Sequence, residues 1–244
     1  TTEIYTLSLH DALPILNFYI FKIEESTPKA KVKASSDVYH MDFDMFKPGF
    51  MICTDFHSLK TSDGTTTNVI AGETRGYREG VGAKAKFKSV TGFVQLSGTR
   101  LVVVDSHNHC LRMVERPSGQ TSPLHGQCQN SGYADGNPGL FHYPNFIAVD
   151  KISNNNQLLV TDTFNNAVRT VDMIFGFVGN FVRSPSLRRV FYFTQHERGD
   201  IYATEEHSVV KITYVSKLIT LLSGSSESSG YKDGTLLQSL FYNP

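Results

Sequence analysis

Gly76-Tyr77-Arg78-Glu79-Gly80 returns as Gly132-Tyr133-Ala134-Asp135-Gly136 and again as Gly230-Tyr231-Lys232-Asp233-Gly234. Each copy leads to a phenylalanine, at Phe87, Phe141 and Phe241. Beyond the first two, an apolar run stops at an aspartate. Leu101-Val102-Val103-Val104 ends at Asp105, and Leu158-Leu159-Val160-Thr161 ends at Asp162. Closing segments follow: Ser106-His107-Asn108-His109-Cys110-Leu111-Arg112 and Thr163-Phe164-Asn165-Asn166-Ala167-Val168-Arg169. A period of this kind is read before any site, because it sets the architecture. Phe87 to Phe141 is 54 residues, and Phe141 to Phe241 is 100, or two units of 50. The unit inside that gap lacks the glycine-bracketed opening but keeps the later strands, with Thr204 standing where Asp55, Asp105 and Asp162 end their runs.

Between these landmarks the chain reads as short strands. Residues 38–44 alternate in polarity, the period-two mark of a half-buried strand, and Pro48-Gly49 turns the chain. Strands are expected over 50–54, 68–71, 91–95, 101–104, 110–115 and 121–125. Residues 172–178 are apolar and Gly-punctuated, and further strands fall at 188–193, 200–204, 208–213 and 217–223. Continuous apolar runs such as 101–104 imply strands covered on both faces. No helical stripe of useful length is present, so the fold class is all-β. Four strands in about 50 residues fit a β-propeller blade, stacked between two neighbours, better than a solenoid coil of about 20–30 residues. Seventeen Phe, eleven Tyr and nineteen Gly suit such strands and their turns.

Asp, two residues, Asn, then a branched aliphatic residue and Arg is a pattern that resembles the NHL repeat, as does the GYxDG…F element before it. The resemblance covers roughly 38–244, with two strong and two weak repeats. It implies a β-propeller of four-stranded antiparallel blades, about four of them present, as part of a six-bladed ring. The blades are expected at about 38–75, 76–131, 132–180 and 181–229, with the start of the next at 230–244. Residues 16–37 read as a strand and a polar connection. Residues 1–15 resemble a translated sequencing adaptor and are set apart from the fold as a non-native segment.

Lys+Arg and Asp+Glu are 23 each, so no global field favours nucleic acid or an anionic membrane. The apolar stretch near the N-terminus is too short and interrupted to span a bilayer, and no membrane segment is read. Of the three cysteines, Cys110 and Cys128 could pair across one hairpin, but free buried thiols are the preferred reading. The compartment stays open.

The repeat-motif residues Asp105, Asn108, Arg112, Asp162, Asn165 and Arg169 are read as structural. The aspartates accept backbone N–H groups in their turns, the asparagines tolerate the left-handed region, and the arginines pair with a carboxylate of the same or adjacent blade. Phe87, Phe141 and Phe241 are read as packing between blades. In an up-and-down blade the GYxDG loops and the Asp-x-x-Asn turns leave on one face of the disc. Loops on a rigid scaffold carry binding groups, so Tyr77, His107, Tyr133, Phe164, Tyr231 and the long 126–144 loop are the candidate contacts, with the tyrosines alternatively packed under their own loops. The expected function is a non-catalytic scaffold for a macromolecular partner, a protein first. An RNA-binding propeller is the weaker alternative, its basic groups being Arg75, Arg78, Lys84, Lys86 and Lys88, with Arg183, Arg188 and Arg189. The resemblance also admits a metal-dependent lyase or hydrolase with its site in the channel. No G-x-S-x-G elbow or P-loop is present, His107 and His109 alone do not make a metal site, and no catalytic residue, metal or cofactor is assigned.

Overall fold

The computed structural model describes residues 18–20, 30–32, 38–236 and 238–244. The expected non-native segment 1–15 lies outside them, as does most of the strand expected after it. The described part of that stretch is a short antiparallel pair, β1 (Phe18–Ile20) with β2 (Ala30–Val32).

The rest of the chain builds four antiparallel four-stranded blades arranged as a β-propeller. The first holds β3 (His40–Phe43), β4 (Met51–Thr54), β5 (Leu59–Ser62) and β6 (Thr67–Ala71). A short parallel pair, β7 (Thr74–Arg75) and β8 (Lys86–Phe87), leads into the second blade. That blade holds β9 (Val90–Gln95), β10 (Arg100–Asp105), β11 (Cys110–Glu115) and β12 (Gln120–His125). The third holds β13 (Pro144–Val149), β14 (Gln157–Asp162), β15 (Ala167–Asp172) and β16 (Phe177–Arg183). The fourth holds β17 (Tyr192–Gln195), β18 (Ile201–Thr204), β19 (Ser208–Ile212) and β20 (Ile219–Gly224). Every sheet runs in chain order, so each blade is an up-and-down meander. No α-helix occurs among the described residues.

Departures from the sequence expectation have local causes. The strand expected over 188–193 begins only at Tyr192, because the Arg188 and Arg189 N–H groups go to the Glu205 and Asn166 side chains instead of a strand partner. The apolar, Gly-punctuated stretch 172–178 is centred on a tight turn, with Gly176 at φ +67° and Ile174 and Phe175 exposed. β16 runs on to Arg183, past the blade limit expected at 180. The first blade also contains β5, a strand not read from the sequence because Leu59-Lys60-Thr61-Ser62 shows little apolar pattern.

The apolar runs fill the spaces between blades. Val103 and Leu101 of β10 pack toward the first blade with Ile52, Leu59 and Phe93. Val102 and Val104, the alternate residues of the same strand, pack toward the third with Ile147, Leu158 and Val160. That is the period-two geometry of a strand buried on both faces. Phe87 and Phe141 are fully buried in these layers. Their place is held open by glycine: a Cβ on Gly72 (φ +81°) would stand 2.3 Å from the His57 carbonyl oxygen and 2.5 Å from the Phe87 ring.

Polar locks close the opposite side of the disc. Buried Gln195 donates to Asp150 Oδ1 at 2.7 Å and accepts the Lys151 N–H, while Tyr214 donates to Asp150 Oδ2 at 2.8 Å. That joins the third and fourth blades. Gln95 with Asp44 and Arg116 does the same between the first and second. Buried polar pairs that cross from blade to blade in this way fix one register of blade on blade.

Candidate functional site

The two strong repeats share one arrangement. In each, the lead-in loop folds into a small hairpin: Gly76 N–H donates to Phe87 O at 2.9 Å, and Gly132 N–H to Phe141 O at 3.0 Å. The third copy does likewise from Gly230 to Phe241 at 3.0 Å. Arg112 and Arg169 reach from β11 and β15 into these hairpins. Arg169 donates to Leu140 O, Ala134 O and Gly179 O, and pairs with Asp162 at 3.1 Å and Asp135 at 2.6 Å. Arg112 donates to Lys86 O and Arg78 O and pairs with Asp105 at 3.0 Å, with Glu79 2.9 Å away. Both guanidinium side chains are fully buried.

Each aspartate accepts from the asparagine amide of its own turn, but the backbone N–H groups it takes come from the neighbouring segment. Asp105 accepts the N–H groups of Lys88 and Ser89, and Asp162 accepts that of His142. Burial pushes both carboxyls upward, and the asparagine amide, the arginine and these N–H groups pull them back. Asn108 and Asn165 sit in 3-10 turns and donate to Gly76 O and Gly132 O. The left-handed residue is the next one, His109 at φ +60° or Asn166 at φ +52°. In the weak repeats the acid moves on by one: Thr204 keeps the pairing register, but Glu205 takes the Arg188 N–H and the Ser208 hydroxyl. Asp55 bonds its own turn at His57 and Ser58.

Among the candidate contacts, Tyr77 and Tyr133 are half-buried under the clamp. The Arg112 guanidinium lies 5.2 Å from the Tyr77 ring centre, and Tyr133 sits 4.3 Å from that of Arg169 and 3.9 Å from that of Arg183. Tyr231 is exposed on the third hairpin. His107 and Phe164 come together in a ring cluster that also takes in His109, His142 and Tyr143. His107 meets Tyr143 edge-on at 5.0 Å, and Phe164 lies 4.8 Å from Tyr143 and 5.4 Å from His142. Phe164 is 45% exposed and carries Arg189 over its face at 5.0 Å.

His142 and Tyr143 fall in the long 126–144 loop and Arg189 in a basic group already noted, but motif spacing does not join them to His107 and Phe164. Their signal was positional, since 142–143 and 188–189 stand where the chain steps into a first strand. His109 Nδ1 accepts the Tyr143 N–H at 3.2 Å, as Asn166 Oδ1 accepts that of Arg189 at 3.1 Å. An imidazole that accepts at Nδ1 must be neutral there. Burial first, then His142, Lys88 and His107, push His109 down to about 4. Burial, with Lys88 and Arg75, also lowers His107.

Cys110 and Cys128 form a disulfide, against the expectation of free thiols; Cys53 is the free, buried cysteine. The bulge after Leu111 and the left-handed Gly126 swing the 126–131 segment back over β11, bringing the two Cα atoms to 5.0 Å. The bridge ties the long loop to the residue after His109. Among the described residues, no group of three or more His, Cys, Asp or Glu is placed to hold a metal ion, and no helix is long and apolar enough to cross a membrane.

No family profile and no curated protein matches the sequence. Solved structures do match in fold. An auxiliary nutrient binding protein from Bacteroides ovatus aligns at TM-score 0.61 and 12% identity, over 86% of this chain and 47% of that one. The nidogen/laminin complex aligns at 0.57 and 14%, over 81% of this chain and 68% of the other. The extracellular domain of BT4673 from B. thetaiotaomicron aligns at 0.56 and 10%, over 88% and 24%. These neighbours are β-propellers, and at such identities they establish the fold alone.

Proposed function

We propose that this chain is an NHL-type propeller acting as a non-catalytic scaffold, which holds a protein partner on the face of the GYxDG loops and Asp-x-x-Asn turns. The observation that carries the reading is the ring cluster at the junction of the second and third blades, with Phe164 projecting from it. Aromatic anchors at a packed, partly exposed centre are what protein interfaces use. The Asp, Asn and Arg groups of the motif are spent on internal bonds, which leaves the rings and their cationic border as the chemistry on offer. The nidogen/laminin complex shows a propeller-containing assembly between proteins, which makes a protein partner the natural first choice.

Site-specific cross-linking tests this. A photoreactive phenylalanine analogue placed at Phe164 should give a discrete protein adduct in native extract, and the same group at Val215, in a turn on the opposite face, should not. Adducts from Val215 and none from Phe164 would move the docking surface to the other side of the disc.

A further inference from the structure

Charge is unevenly spread over the turn face. The chain as a whole balances 23 cations with 23 anions, yet Lys88, whose N–H bonds Asp105 at 2.9 Å, and Arg75, next to the Gly76 carbonyl held by Asn108 at 3.0 Å, flank the turn that carries His107. Among the described residues neither cation takes part in an ion pair. Across the cluster Arg189 stacks on Phe164 and shares Glu206 at 3.1 Å. His107 Nδ1 is buried with no hydrogen-bond partner.

We propose that this cluster receives an acidic linear segment of a partner protein, with carboxylates on the Lys88 and Arg75 side and an apolar side chain against Phe164. This rests on the turn face being the docking surface, and it names the partner's chemistry there. Carboxylates gain charge-assisted hydrogen bonds from such a border, and the opposite charges speed and orient encounter. A phosphodiester chain is the other anionic ligand to weigh. Domains that bind nucleic acid usually carry a basic stripe and a pI above about 9, whereas this chain has a pI near 7.1. Two cations at the His107 end of the cluster, with Tyr143 between them and the apolar Phe164 ring, fit a short acidic-aromatic peptide better than a polyphosphate backbone.

The assay is fluorescence anisotropy of a labelled ten-residue peptide of alternating Glu and Phe, titrated with the full chain. Lys88→Gln and Arg75→Gln should each weaken binding about three- to fivefold and reduce its salt dependence. Phe164→Ala should weaken it about tenfold. Lys151→Gln, on the opposite face, should leave it unchanged. All four positions lie outside the packed core, and circular dichroism confirms folding of each variant. The same peptide with Gln for Glu should bind at least about tenfold more weakly. Equal binding of the Gln peptide, or tighter binding of a ten-nucleotide oligouridylate, would overturn the proposal. A partner adduct at Phe164 without acidic-peptide binding would sink the acidic ligand and leave the docking face standing. Loss of both would remove the two together.

Discussion

Arg169→Met is the perturbation that most directly probes the clamp. The guanidinium has no solvent exposure and donates to three backbone carbonyls and two carboxylates. Methionine fills most of the volume, so the loss is polar rather than steric. Asp162 is left fully buried with only the His142 N–H and the Asn165 amide. Breaking a buried ion pair by removing one partner costs about 3–5 kcal/mol, and the three stranded carbonyls place the expectation in the upper half of that range. With a urea slope of roughly 2–3 kcal/mol/M, the unfolding midpoint should fall by about 1.5–2 M. The chain has no tryptophan, so far-UV circular dichroism of the sheets is the signal. Asp162→Asn in the same chain removes the stranded charge, so the double variant should lose about 2 kcal/mol less than the sum of the two single losses. A cost below about 1 kcal/mol for Arg169→Met, or strict additivity in the double variant, would refute the clamp as the element that holds lead-in loop to blade.

Glycine at the outer strand ends gives a second test. Gly72→Ala forces a left-handed alanine and a Cβ 2.3 Å from a carbonyl oxygen, whereas Gly49 (φ +83°) has nothing within 4 Å. Thermal unfolding should show Gly49→Ala costing about 1 kcal/mol and Gly72→Ala well above 2; equal losses would contradict the packing around Phe87. His109 supplies a pH dependence. Its folded pKa of about 4 lies below the ordinary 6.5, so the unfolded chain binds the extra proton and stability falls as pH drops from about 6.5 toward 4. His109→Asn, which copies Asn166, should keep the bond to Tyr143 and flatten that part of the Tm profile; an unchanged slope would show that the imidazole is not the group involved. Alkylation of the unfolded, unreduced protein should label Cys53 alone, and all three cysteines after reduction. Removing the bridge, which closes a separation of 18 residues, should cost about 3 kcal/mol by loop entropy, read by urea unfolding of Cys128→Ser.

The sequence by itself determined the architecture. The recurrence of Gly76, Gly132 and Gly230 ahead of Phe87, Phe141 and Phe241, with apolar runs stopping at Asp105 and Asp162, is local information, since each blade writes its strands and turns into one stretch of chain. What those residues touch was decided only in three dimensions. Asp105 serves Lys88 and Ser89, 16 to 17 residues away, and Arg169 reaches Ala134 at a separation of 35. Such pairings depend on how a lead-in loop folds back onto its own blade, which spacing cannot state. Tyr77 and Phe164 looked alike as loop aromatics, yet one lies beside a buried guanidinium and the other stands half-exposed at the edge of a ring cluster. Cys110 and Cys128 were 18 residues apart in either reading, and only the bulge after Leu111 with the turn at Gly126 brought their sulfurs together. Repetition along a chain fixes what each unit is, whereas contacts between units are set by the packing that brings distant residues face to face.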